Sequence, residues 1–261
     1  MPIHPSSIIA EGAIIPASCT VGPFCTIGPN VRLGESCELI SHVVLDGQTT
    51  IGDRVRIFPF ASVGIAPQDL KYKGEPTACV IGDDTVIRES VTISRGTEGG
   101  GGITRVGAHC LIMAYTHIGH DSQIGNHCIL ANGTTLAGHV TIEDYVTTSA
   151  MGPVHQYCTL GQYAYIGGGT TITQDVLPYS LTSIERNNHA YGINKVGLER
   201  KGFAPEEIRQ LRSAYRILQN SKLNTSEALA AIREKIASGE FGEKVAYLAD
   251  FIAKSERGVI K

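Results

Sequence analysis

Tryptophan is absent from this 261-residue chain, phenylalanine occurs six times and methionine three, so any core must be built from aliphatic and small side chains. Charged residues make up only 18%, and the formal charge of -3 gives no chain-wide basic field, which excludes the usual footprint of a nucleic-acid binder. No run of about 18 apolar residues occurs, and the first residues lack a basic segment followed by an apolar one. Neither membrane insertion nor a secretory signal is therefore expected. The seven cysteines contain no Cys-x-x-Cys pair, and their odd number fits reduced thiols in a cytoplasm. What is abundant is glycine, 30 residues or about 11% against a usual ~7%; it does not fall at every third position, so collagen is excluded.

Aliphatic residues recur every six positions from Ile3 through Ile9, Ile15, Val21, Ile27, Leu33, Leu39, Leu45, Ile51 and Ile57 to Val63. The phase returns at Ile81, Ile87 and Ile93, resets at Val106, and runs on to Ile172 with Thr148 the single lapse. A period of six fits neither a helix nor a long strand. It fits a short strand plus a corner, with the aliphatic residue inward and the glycine that often follows it (Gly22, Gly28, Gly52, Gly119) free to take the corner's backbone angles. Three units make an 18-residue triangular coil, and stacked coils pair as parallel strands ~4.8 Å apart. All seven cysteines lie two before an aliphatic position, which also points inward, so they read as small core fillers.

The repeat is interrupted by two insertions, 66–77 (APQDLKYKGEPT) and 94–105 (SRGTEGGGGITR). A solenoid has no natural pocket, so loops folded over one face are the simplest way to make one. The expected organisation is a hexapeptide-repeat β-helix over 1–177 and a helical domain over 178–261. Pro205 opens a helix through Ile208, Leu211, Tyr215 and Leu218; Asn224 with Glu227 caps a second through Leu229, Ile232 and Ile236; Val245, Leu248 and Ile252 mark a third. Charge divides likewise, net -7 in 1–177 and +4 in 178–261. The basic residues of the tail suit an acidic or phosphate-bearing partner.

Residues 18 apart stack, which places Gly138 over His120 and Gln156 over Gly138, and His139 over Asp121. An imidazole beneath bare backbone is a plausible acyl-transfer site: His120 takes a proton from a hydroxyl, Asp121 orients it, and the Gly138 N–H meets the oxyanion. Adjacent residues of a strand face opposite ways, so the His120–Asp121 pair needs a corner. A metal is not expected, since no two histidines are five apart.

The runs His117-Ile-Gly-His-Asp121, Gly125-Asn126 through Asn132, and Leu136-Ala-Gly-His-Val140 closely resemble the bacterial UDP-N-acetylglucosamine O-acyltransferases of lipid A biosynthesis. Further matching motifs are Gln68-Asp-Leu-Lys-Tyr72, Arg95-Gly-Thr97, Val154-His-Gln156, Asn188-His-Ala190 and Lys201-Gly-Phe203. The resemblance implies a left-handed parallel β-helix, although parallel crossovers are generally right-handed. It implies a homotrimer with active sites between solenoids, and transfer of an (R)-3-hydroxyacyl group from acyl carrier protein to the glucosamine 3-hydroxyl, without a cofactor. It assigns His120 as general base with Asp121 beside it and Gly138 as oxyanion donor. Gln68, Asp69, Lys71, His117, His139, His155 and Gln156 become substrate contacts, Asn194 and Arg200 contacts to the nucleotide from a neighbouring subunit, and Gly168 the position limiting acyl length. The basic helices become the surface for acyl carrier protein. The chain departs from the family at Ser94, Val196 and Lys201, where histidine, an acidic residue and arginine are usual. Alternatives left open are a coenzyme-A-dependent sugar acetyltransferase of the same fold and acylation of a 3-amino UDP-sugar.

Overall fold

The computed structural model describes residues 3–183, 189–219, 222–256 and 258–260. Asn188, part of one motif above, lies outside the described residues. Strands mostly two residues long stack into three parallel sheets of a left-handed β-helix. Partners are 18 residues apart in most coils, as Thr26 with Val44. They are 30 apart across the first insertion, Ser62 with Thr92, and 25 apart across the second, Thr92 with His117. The inward aliphatic pairs stay in register, Val63 with Ile93 and Ile93 with Ile118, while the ladder shifts by one residue where the second excursion leaves, Ser94 pairing with Ile65. The last coil is tighter by two residues, Leu160 pairing with Val176, and the closing strand Val259–Ile260 pairs in turn with Asp175–Val176.

The six-residue series is the core: Ile27, Leu39, Leu45, Ile57, Ile87, Ile112, Ile118, Leu130 and Leu136 are all fully buried. Each such side chain contributes about 1.5–3 kcal/mol by leaving water. Thr148, the lapse, is buried too, and its hydroxyl pairs with that of Thr134 at 2.7 Å and accepts the Ala131 N–H. All seven cysteines are buried free thiols, and they do more than fill space. Cys19, Cys37, Cys110 and Cys128 each donate to a carbonyl one coil on, at 3.0–3.2 Å, tying neighbouring coils together.

The expected role of glycine is corrected. The left-handed backbone angle falls three residues after the aliphatic position, and non-glycine residues usually occupy it: Phe24, His42, Asp121, His139 and Tyr163 all have φ between 53° and 66°. The glycine directly after the aliphatic residue is needed for close approach instead. At Gly119 a Cβ would lie 2.6 Å from the Ala137 carbonyl carbon in the coil above.

Beyond the coils, Ser180–Ser183 and His189–Ile193 form an antiparallel hairpin and lead into α1 (Lys195–Arg200), α2 (Pro205–Leu218), α3 (Thr225–Ala237) and α4 (Glu243–Lys254). The sequence pattern points to α2, α3 and α4; the hairpin and the short α1 carry no comparable periodicity. Glu207 accepts the Ala204 N–H at the start of α2, and Asn224 and Glu227 bond reciprocally at the start of α3. No helix among the described residues is long and apolar enough to cross a membrane.

Candidate active site

Asp121 occupies a left-handed corner, φ 61°, a conformation that short polar residues tolerate. That turn resolves the geometric objection to a pair of adjacent residues, because it folds the Asp121 carboxylate back toward the preceding ring. His120 Nδ1 lies 2.8 Å from Asp121 Oδ2. The Asp121 side chain is fully buried, which for a carboxylate is costly unless donors surround it. The second excursion supplies them. The Thr97 N–H donates to Oδ1 at 2.8 Å and the Thr97 hydroxyl to Oδ2 at 2.6 Å, while the Asp121 N–H donates to Thr104 Oγ1 at 2.8 Å. Gly100 lies so close that a Cβ there would come 2.1 Å from Oδ2.

In the neutral imidazole, the contact with the carboxylate places the proton on Nδ1 and leaves a lone pair on His120 Nε2. Gly138 sits against the same ring, and a Cβ at Gly138 would be 2.6 Å from both Cε1 and Nε2. Only glycine leaves this ring in place. His139 crosses His120 edge-on at 5.0 Å and stacks on Tyr157 at 4.5 Å. His117 holds Thr92 Oγ1 at 2.8 Å through Nδ1. Burial, reinforced by the charge of His120, pushes the His117 imidazole below its ordinary pKa, so it is neutral at neutral pH.

Gln68, Ser94, His117, His120, Gly138 and His155 line one cleft of about 450 Å³. It continues up the solenoid face past Pro153 and Val154 to Thr173. Thus five residues singled out in the sequence converge, and Asp121 stands behind one of them. Gln156 follows His155, whose Nδ1 donates to the Gln156 carbonyl at 3.1 Å. Asp69 and Lys71 lie further out on the first excursion, where Asp69 Oδ1 accepts the Lys71 N–H at 2.9 Å and Lys71 is exposed. Gly168 is half-buried outside the cleft lining; a Cβ there would meet Ala150 O at an ordinary 3.4 Å. Asn194 and Arg200 line a separate cavity of about 560 Å³ with Val196 and Lys201. The Asn194 side chain caps α1 by accepting the Gly197 N–H and donates to Tyr163 O. Lys201 sits 4.7 Å over the Tyr145 ring.

His120, Asp121 and His139 also bring three metal-capable atoms within 4.8 Å. Their geometry fits a metal poorly, because Asp121 Oδ1 already takes Thr97 N–H and Oδ2 takes both Thr97 Oγ1 and His120. Sequence reasoning missed the supporting threonines, Thr92, Thr97 and Thr104. The sequence signals for them were the family-like runs Ile87-Arg-Glu-Ser-Val-Thr92 and Arg95-Gly-Thr97, neither with an assigned role.

A coil of hexapeptide repeats carrying a histidine–carboxylate pair in a surface cleft defines a hexapeptide-repeat acyltransferase. Residues 103–138 match the bacterial transferase hexapeptide family, and residues 175–260 match domain 2 of the UDP N-acetylglucosamine O-acyltransferases. The chain is 41% identical to LpxA of Acinetobacter baumannii over the full length of both, with a TM-score of 0.95. It is 40% identical to the Francisella novicida UDP-N-acetylglucosamine acyltransferase, covering 99% of this chain and 93% of that one, with a TM-score of 0.94. The Arabidopsis UDP-N-acetylglucosamine acyltransferase is 34% identical, covering 99% of this chain and all of that one, with a TM-score of 0.85. The chain belongs to the UDP-N-acetylglucosamine acyltransferase family.

Proposed function

We propose that this enzyme transfers an (R)-3-hydroxyacyl chain from acyl carrier protein to the 3-hydroxyl of UDP-N-acetylglucosamine, the opening step of lipid A synthesis, with His120 as general base. The observation that carries the reading is the orientation of His120: its Nδ1 is held by a buried carboxylate while its ring borders the cleft against Gly138. In the reaction, Nε2 takes the proton of the sugar hydroxyl as its oxygen attacks the thioester carbon. The carbonyl oxygen becomes an oxyanion facing the Gly138 N–H. Collapse expels the thiolate, which takes the proton back from the imidazolium. Asp121 keeps the ring in the reactive tautomer and stabilises its charged form.

Gln68, Asp69, Lys71, His117, His139, His155 and Gln156 serve the acceptor and acyl chain in this reading. Asn194 and Arg200 are supplied to the nucleotide of a neighbouring subunit in a homotrimer, which fits their placement in a cavity apart from the cleft. Gly168 limits the acyl chain, and the basic face of α2, with Arg209, Arg212 and Arg216, receives acyl carrier protein. A transfer assay with UDP-N-acetylglucosamine and a ladder of 3-hydroxyacyl thioesters of acyl carrier protein and of coenzyme A tests this. Turnover only with the coenzyme A thioesters overturns the donor assignment.

A further inference from the structure

Between the two excursions lies a largely buried guanidinium that the chemistry above does not use. Arg95 follows Ser94 in the cleft wall, and its side chain is only 14% exposed. Its Nε donates to the Tyr72 hydroxyl at 2.8 Å, and Nη1 donates to Gly64 O at 2.8 Å and to Asp46 Oδ2 at 3.2 Å. The guanidinium also lies 5.4 Å over the Tyr72 ring. Glycine makes the channel it occupies: Gly47 has φ +62°, and a Cβ there would be 2.8 Å from Arg95 Cδ and Nη1. Asp46 and Gly64 belong to the rigid coils, whereas Tyr72 belongs to the first excursion. The Tyr72 hydroxyl in turn donates to Glu75 O at 2.9 Å, and the Glu75 carboxylate accepts the Lys73 N–H at 2.9 Å. One phenol thus gathers the returning limb of the loop, and one arginine ties that phenol to the solenoid.

We infer that Arg95 is a positioning residue for the sugar nucleotide: it pins the 66–77 excursion at Tyr72 and so holds Gln68, Asp69 and Lys71 where the acceptor binds. The inference rests on the reading of those three residues as acceptor contacts. Only a planar, multiply donating cation spans three acceptors lying in different directions; a lysine reaches one or two and lacks the flat face for the ring. Two residues on, Thr97 holds Asp121. The short run 95–97 therefore fixes the acceptor loop and the base in one frame.

Two readouts on the intact enzyme test the inference. Lys71 and Lys73 are exposed in the pinned loop, so tryptic cleavage after them reports its opening without any activity measurement. Arg95→Lys and Tyr72→Phe should each raise KM for UDP-N-acetylglucosamine about fivefold, the loss of roughly one net hydrogen bond, with kcat within about twofold. Both should speed cleavage in the loop, and the double variant should be no worse than the poorer single one, since both remove the same contact. Lys71→Ala tests the underlying reading: it should raise KM while cleavage after Lys73 stays at the parental rate. Wild-type KM and cleavage in the Arg95 and Tyr72 variants, even with a lowered melting temperature, overturn the positioning role while a raised KM for Lys71→Ala leaves the loop reading standing. An unchanged KM for Lys71→Ala sinks the loop reading and the inference together.

Discussion

The carboxylate of Asp121 reaches back across a left-handed corner to the ring of His120, 2.8 Å from Oδ2 to Nδ1, although the two residues are neighbours in sequence. On a straight strand their side chains would point to opposite faces. The corner converts a sequence dipeptide into a base and its orienting partner; Thr97 of the second excursion closes over the carboxylate, and Thr104 in the strand Ile103–Val106 accepts the Asp121 N–H.

His120→Ala is expected to lower kcat by about a hundred- to ten-thousand-fold, the usual worth of a general base, with the fold retained. Asp121→Asn should also lower kcat, because an amide no longer selects the tautomer with Nδ1 protonated. Steady-state kinetics alongside circular dichroism check both. Near-parental turnover in His120→Ala would refute the base assignment.

Thr97→Val removes the hydroxyl that donates to Asp121 Oδ2 and leaves the backbone donor to Oδ1. A hydrogen bond to a buried charge is worth about 1.5–3 kcal/mol, so urea unfolding should show a loss of that order. Loosening of the carboxylate should lower kcat more than it changes KM for either substrate. A stability loss without any kinetic change would confine Thr97 to the fold.

Gly138→Ala and Gly99→Ala form a contrasting pair. The first puts a Cβ 2.6 Å from the His120 ring and must displace it, whereas around Gly99 nothing lies within 4 Å. Activity should collapse in the first and persist in the second. A crystal structure of the Gly138 variant should show the ring turned away from the cleft.

The depressed pKa of His117 has a sign that stability measurements can read. Folded His117 resists protonation, by burial first and by the charge of His120 second, while the unfolded chain takes up the proton at the ordinary histidine value of about 6.5. Its contribution is thus neutral above that value, and stability is lost as pH falls from there toward the folded pKa. Melting temperatures followed from about pH 8 down to pH 5 should decline less steeply in His117→Asn than in the parent.

Much of this was legible in sequence because a solenoid turns spacing into geometry. A step of 18 residues is a vertical neighbour, so Gly138 over His120 and His139 over Asp121 follow from counting. The inward aliphatic series and the inward cysteines follow from the alternation of a strand. Counting stops working where the chain leaves the coils. Thr97 and Arg95 act through an excursion whose path no period encodes, and the hairpin Ser180–Ser183 with His189–Ile193 owes its pairing to the end of the stack; Thr104, by contrast, lies back in the coils, buried two residues before Val106 in the position the cysteines take. The role of the repeat glycines was misread for a related reason: spacing shows where a small residue recurs, while the 2.6 Å clearance at Gly119 is a property of the neighbouring coil.

Sheet partners step from 18 residues apart to 30 and to 25 and then return to 18, with every inward layer undisturbed. A residue inside such a stack senses only the rungs above and below it, so a corner can let out chain at little cost to the rest. Durability and selectivity therefore reside in different parts of the molecule. The coils can stay nearly invariant while the excursions that furnish the cleft are lengthened, trimmed or exchanged, which leaves the pocket open to remodelling without a core that has to be repacked in step.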